Sequence, residues 1–88
     1  MLQEGAPPTL ERGAFTKAVL EALREADHPL TAIETGQAAL ARLGLAADAM
    51  SNYSLTVKVW SSTKAHLTRG TLRRVEREGE VLRLEVAR

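Results

Sequence analysis

The chain has 88 residues, 44% of them hydrophobic, with one Trp, one Tyr, one Phe and no Cys; this bounds it to one small domain whose core is built from Leu, Ala, Val and Ile. Without cysteine there are no disulfides, thiolate zinc sites or cysteine nucleophile, which suits a reducing compartment. No apolar run approaches a membrane span and residues 1–5 lack the basic start of a signal peptide, so a cytoplasmic protein with no membrane partner is expected. The net charge of +1 conceals an asymmetry: residues 1–50 carry four Lys/Arg against seven Asp/Glu, and residues 51–88 carry eight against four. A near-neutral chain with a basic second half is the pattern of one face directed at a polyanion.

Residues 1–9 read as a flexible tail, because Gly5, Pro7 and Pro8 oppose regular structure. A first helix is expected over 10–26, capped by Thr9 and with Glu11 near its positive end. Phe15, Ala18, Val19, Ala22, Leu23 and Ala26 share one stripe, so this helix faces a core. Asp27-His28-Pro29 then breaks the chain, since proline disfavours the helical region for the residue before it. His28 reads as a turn residue with no partner for ligand or base chemistry.

Thr31-Ala32-Ile33-Glu34 is a capping box that opens a second helix over 32–43. Ile33, Leu40 and Leu43 form its apolar edge, Ala38 and Ala39 allow close packing, and Gly44 is a left-handed stop. Gly36 in its interior costs about 1 kcal/mol relative to Ala and marks a point where another helix is expected to come close. Residues 45–51 connect to the next element.

The stretch 52–69 carries two conflicting periods. Tyr53, Leu55, Val57 and Val59 alternate as in a strand. At about 100° per residue, however, Leu55, Thr56, Val59, Trp60, Thr63 and Leu67 fall on one arc with His66 at its edge. The opposite arc then holds Lys58, Ser61, Ser62, Lys64, Ala65, Thr68 and Arg69, with Val57 the one misfit. Only the helical reading separates cations from apolar residues, so a helix is expected. Small side chains studded with cations suit a helix lying in a DNA major groove, where close approach and phosphate contact are both needed; the alternative is a solvated face.

Residues 71–76 and 81–87 are β-prone runs around Arg77-Glu78-Gly79-Glu80 and read as a hairpin. A two-residue Glu78-Gly79 turn would place Val75 opposite Leu82 and Arg74 opposite Arg83, a like-charge pair that repels unless an anion joins it. A three-residue turn would shift that pairing.

No chemistry is expected of this chain. It has no Gly-rich phosphate loop and no His-Glu-x-x-His, its two histidines lie far apart, and Ser51, Ser54, Ser61 and Ser62 have no base placed near them. The glutamates 76, 78, 80 and 85 read as solvated partners of the interleaved arginines, and neither a metal nor a cofactor is called for.

Three helices followed by a hairpin, in this order and size, resemble the winged helix-turn-helix family, an α+β fold. The stretch Leu23-Arg24-Glu25-Ala26-Asp27-His28-Pro29-Leu30-Thr31-Ala32 looks like the phrase that ends the first helix and opens the second in bacterial members. Arg69-Gly70-Thr71-Leu72-Arg73-Arg74, followed by Gly79 and an apolar strand, looks like the close of the recognition helix and the entry to the wing. The resemblance implies double-stranded DNA as partner, with the third helix in the major groove and the wing on backbone or minor groove. Lys58, Ser61, Ser62, Lys64, Thr68 and Arg69 would then face the groove, and Arg73, Arg74, Arg77 and Arg83 would hold phosphates. The function so implied is that of a small bacterial transcriptional regulator or accessory factor. Because one module buries only about 600–1,000 Å² on DNA, a homodimer or larger protein partner is expected to complete specific binding. The competing expectation is a winged helix that docks a protein partner through the Val57 region or the acidic first half.

Overall fold

Three glycines at positive φ and two side-chain caps punctuate the helical part of the chain. The computed structural model describes residues 13–87. Gly13 at φ 92° is the N-cap of α1 (Ala14–Glu25); the expected start at residue 10, the tail and the Thr9 cap lie outside the described residues. The capping box expected at Thr31 is formed: Glu34 N donates to Thr31 Oγ1 (3.1 Å) and Thr31 N donates to Glu34 Oε1 (2.9 Å). It opens α2 (Ala32–Arg42), and Gly44 at φ 76° follows its end.

Ser51 Oγ caps α3 (Asn52–Arg69) by accepting from Ser54 N at 3.1 Å. The helical period therefore prevails over the strand-like one through Tyr53–Trp60. Gly70 at φ 84° closes it, with Thr71 N donating to His66 O (2.9 Å) and Gly70 N to Leu67 O (3.2 Å). This pair of backward bonds satisfies carbonyls that a helix end otherwise leaves bare.

Two strands follow, β2 (Leu72–Val75) and β3 (Arg83–Val86), and a third, β1 (Leu30–Thr31), lies between α1 and α2. The sheet is antiparallel in the order β1-β3-β2. The architecture is thus α+β, three helices packed with a small three-stranded sheet. The hairpin register differs from that expected of a two-residue turn: Arg73 pairs with Glu85, Arg74 with Leu84 and Val75 with Arg83. Glu80 N donates to Arg77 O at 3.0 Å with Gly79 at φ 80°. Positive φ at the third turn residue alone is the type II pattern, whose twist splays the strands, so the ladder starts only at Val75 and Arg83. Arg74 and Arg83 consequently do not oppose one another.

The core joins Phe15, Ala18, Val19 and Leu23 of α1, Ala32, Ala39 and Leu40 of α2, Leu55 and Val59 of α3, and Leu72 and Leu84 of the sheet. Ile33 and Leu43, expected on the apolar edge of α2, are only half-buried; the buried face of that helix is instead Ala32, Thr35, Gly36, Ala39 and Leu40. Gly36 is the close approach that its position suggests, because a Cβ there would stand 2.6 and 2.8 Å from the two Cδ atoms of Leu55. Thr35 and Thr63 are fully buried yet satisfied, their hydroxyls donating to Thr31 O (2.8 Å) and Val59 O (2.9 Å). Arg42 ties α2 to α1 through Glu21 and Glu25.

Candidate nucleic-acid interface

Helix α3 packs against α2, α1 and β2 through Leu55, Val59 and Thr63, which are buried. Thr56, Trp60, His66 and Leu67, expected on the same arc, are half-buried at its edges. The side turned away from the protein is therefore set by these three residues and carries Tyr53, Val57, Ser61, Lys64, Ala65 and Thr68, all exposed. Arg69 stands exposed at the C-terminal end, its guanidinium donating to His66 Nδ1 at 3.2 Å. That bond requires the Nδ1 lone pair, so the His66 proton sits on Nε2.

Two of the residues expected on this face lie elsewhere. Lys58 is half-buried, its Nζ 5.1 Å from the centroid of the Phe15 ring on α1, a cation–π distance that also lays its stem along apolar surface. Ser62 is half-buried on the same flank. Their places are taken by Tyr53, 80% exposed, and Val57, 47% exposed. Val57, the apolar misfit of the outward arc, is exposed there as its spacing of four from Ser61 and seven from Lys64 places it.

The hairpin arginines divide into two pairs. Arg73 is ion-paired with Glu85 across the strands, and Arg83 Nη1 lies 2.8 Å from Glu80 Oε1. Arg74 and Arg77 are exposed and, among the described residues, have no carboxylate partner; the same is true of Lys64. By strand alternation Arg74 shares the face of Leu72 and Leu84, whereas Arg73, Val75, Arg83 and Glu85 share the other.

Between α2, α3 and the hairpin lies an apolar depression of about 360 Å³ lined by Thr31, Ala32, Ile33, Thr56, Trp60, Val81 and Leu82. Val81 and Leu82, together with Tyr53 and Val57, are the large hydrophobic residues left exposed among the described residues. On another side, His28 Nδ1 donates to Asp27 Oδ1 at 2.8 Å, so His28 does have a partner, its immediate neighbour. This hydrogen bond, with the charge of His28, holds the Asp27 carboxyl below its ordinary range; both side chains are exposed. Among the described residues no cluster of three metal-ligating side chains occurs, and no helix is long and apolar enough to cross a membrane.

No protein-family model matches the chain, and no curated protein or solved structure matches it significantly.

Proposed function

We propose that this chain is a double-stranded DNA-binding module of the winged helix-turn-helix type, acting as a small transcriptional regulator or accessory factor without chemistry of its own. The observation that carries the reading is the outward face of α3. Ser61, Lys64, Ala65 and Thr68 form a low, exposed surface ending at Arg69, a relief that admits a helix to the major groove. The adjoining hairpin supplies Arg74 and Arg77, cations not neutralised by a neighbouring carboxylate. The α+β order of three helices and a small antiparallel sheet is compatible with this fold. Lys64, Arg69, Arg74 and Arg77 are the phosphate contacts of this reading, while Lys58, Arg73 and Arg83 have partners within the protein and Ser62 is half-buried.

A second reading, docking of a protein partner, draws on the apolar depression at Trp60, Ile33, Val81 and Leu82, because exposed apolar surface of this kind marks association sites. Titration of duplex DNA at several salt concentrations separates the two. Four phosphate contacts give a fall of log affinity with log salt of slope about −3 to −4. Folded protein that fails to bind duplex DNA at low salt would leave protein docking as the better reading.

A further inference from the structure

We infer, resting on the DNA-binding reading above, that α3 selects duplexes containing thymine by contacting the thymine C5-methyl group through Val57, Ala65 and Thr68, rather than by bidentate hydrogen bonds to base edges. The side chains that bond two base-edge atoms at once are Arg, Lys, Asn and Gln. On the outward face of α3 only Lys64 belongs to that set. Asn52, the helix's carboxamide, falls on the angular arc of Leu55 and Val59, and Arg69 stands at the helix end, where the reading above gives it to a phosphate.

Of the groups left on the face, Val57, Ala65 and Thr68 bear methyls, beside the hydroxyls of Tyr53 and Ser61, which bond one base-edge atom at a time. Val57 is 47% exposed in the middle of a helix, where a β-branched apolar side chain gains neither helix propensity nor burial. Thr68 is exposed, and its hydroxyl proton is committed inward, Oγ1 donating to Lys64 O at 3.0 Å; what it offers a groove is its methyl and an acceptor oxygen, but no donor. Ala65 lies between them on a low, open surface shared with Ser61, Lys64, Thr68 and Arg69. Lys64 and Arg69 beside the methyls of Ala65 and Thr68 would place a phosphate and a thymine methyl at neighbouring positions. From Val57 to Thr68 the stripe runs about 16 Å, at about 1.5 Å per residue, which spans roughly five base-pair steps of 3.4 Å. Thymines are therefore expected within one short tract, under the Val57 end and under the Ala65–Thr68 end.

The test uses the full chain. Bound sequences are selected from a pool of random duplexes, and the selected duplex is compared with its twin in which every thymine is replaced by deoxyuridine, which removes the methyl and keeps the phosphates and base-pair edges. Each contacted methyl should be worth about fourfold in affinity, the equivalent of burying one methylene-sized group, and the salt slope should be the same for both duplexes. Val57→Ala, which improves helix propensity and so preserves the fold, should bring the thymine-over-deoxyuridine ratio towards one. Equal binding of the two duplexes, a selected site without thymine, or a ratio unmoved by Val57→Ala would overturn the methyl contact while salt-dependent binding left the DNA reading standing. Failure to bind any duplex at low salt would overturn both.

Discussion

Gly36→Ala separates local helix propensity from packing at the α2–α3 crossing. On an exposed helix surface the substitution stabilises by about 0.8–1.0 kcal/mol, because alanine loses less backbone freedom than glycine. At position 36 the new Cβ would instead stand 2.6 and 2.8 Å from the Cδ atoms of Leu55, a side chain with 0% exposure. The clash involves the branch of the side chain and not a loose end, so Leu55 must leave its packing or the helices must separate. Overpacking of this kind costs about 1–3 kcal/mol. The net expectation is a loss of about 1 kcal/mol, read as a fall in melting temperature of about 4–8 °C for a domain of this size.

The decisive measurement is the same substitution in a Leu55→Ala background. Leu55→Ala alone costs about 2–5 kcal/mol through lost burial and a cavity. With Leu55 Cγ and both Cδ atoms gone, the alanine at 36 loses its three closest contacts and should return about 1 kcal/mol, so its effect changes sign between backgrounds. Urea midpoints of the four proteins give the coupling, about 2 kcal/mol. A Gly36→Ala protein that melts higher than its parent, as ordinary helical glycines do when replaced, would refute the close approach.

Three further outcomes are expected. Thr31 N donates to Glu34 and holds its carboxyl below the ordinary value of 4.5, so its stabilisation is present above pH 4.5 and is lost as the pH falls through the lowered value in the folded state. Glu34→Gln should flatten that part of the pH dependence of the urea midpoint. Trp60 is half-buried rather than enclosed, so Trp60→Ala should cost less than the 3–5 kcal/mol of a fully buried aromatic, about 1–3 kcal/mol by denaturant unfolding. Lys58→Met keeps the stem along Phe15 but loses the charge over the ring; it should cost about 0.5–1 kcal/mol and leave the salt slope of DNA binding unchanged.

The elements legible in the sequence were those fixed by local chemistry. The capping box of Thr31 and Glu34 specifies a helix start within four residues, and Gly70 specifies an end because left-handed backbone suits no other residue as well. For 52–69 the separation of Lys64 and Arg69 from Leu55, Val59 and Leu67 sufficed to choose helix over strand. The rotation of that helix was less legible. Periodicity gives the angles between side chains, but the direction of the core depends on where α1 places Phe15, and this left Lys58 and Ser62 half-buried while Val57 stayed on the outward arc. Strand β1 is two residues long and has no pattern of its own; its partner Leu84 defines it. The hairpin was visible from its turn residues, but its register depends on turn twist, which Glu78-Gly79 leaves open between types.

That register decides which hairpin cations are available. Were Arg74 opposite Arg83, both would be unpaired and both would need an anion. In the observed pairing Arg73 meets Glu85 and Arg83 reaches Glu80, so two of the four guanidinium groups are held by carboxylates. Arg74 sits opposite Leu84, which offers it no charge, and Arg77 opens the turn with no carboxylate partner among the described residues. Exposed pairs contribute little to stability, about 0–1 kcal/mol, but a guanidinium bonded to a carboxylate must surrender that bond before it can hold a phosphate. Under the DNA reading, Arg74→Gln and Arg77→Gln should each weaken binding to all sequences alike and reduce the salt slope by about one unit. Arg73→Gln and Arg83→Gln should reduce the slope by clearly less, and Arg73→Gln should lower the melting temperature slightly through the lost cross-strand pair. Four equal losses of slope would show that the carboxylates yield their arginines to DNA at no cost, and the division of the hairpin into free and engaged cations would then have no bearing on binding.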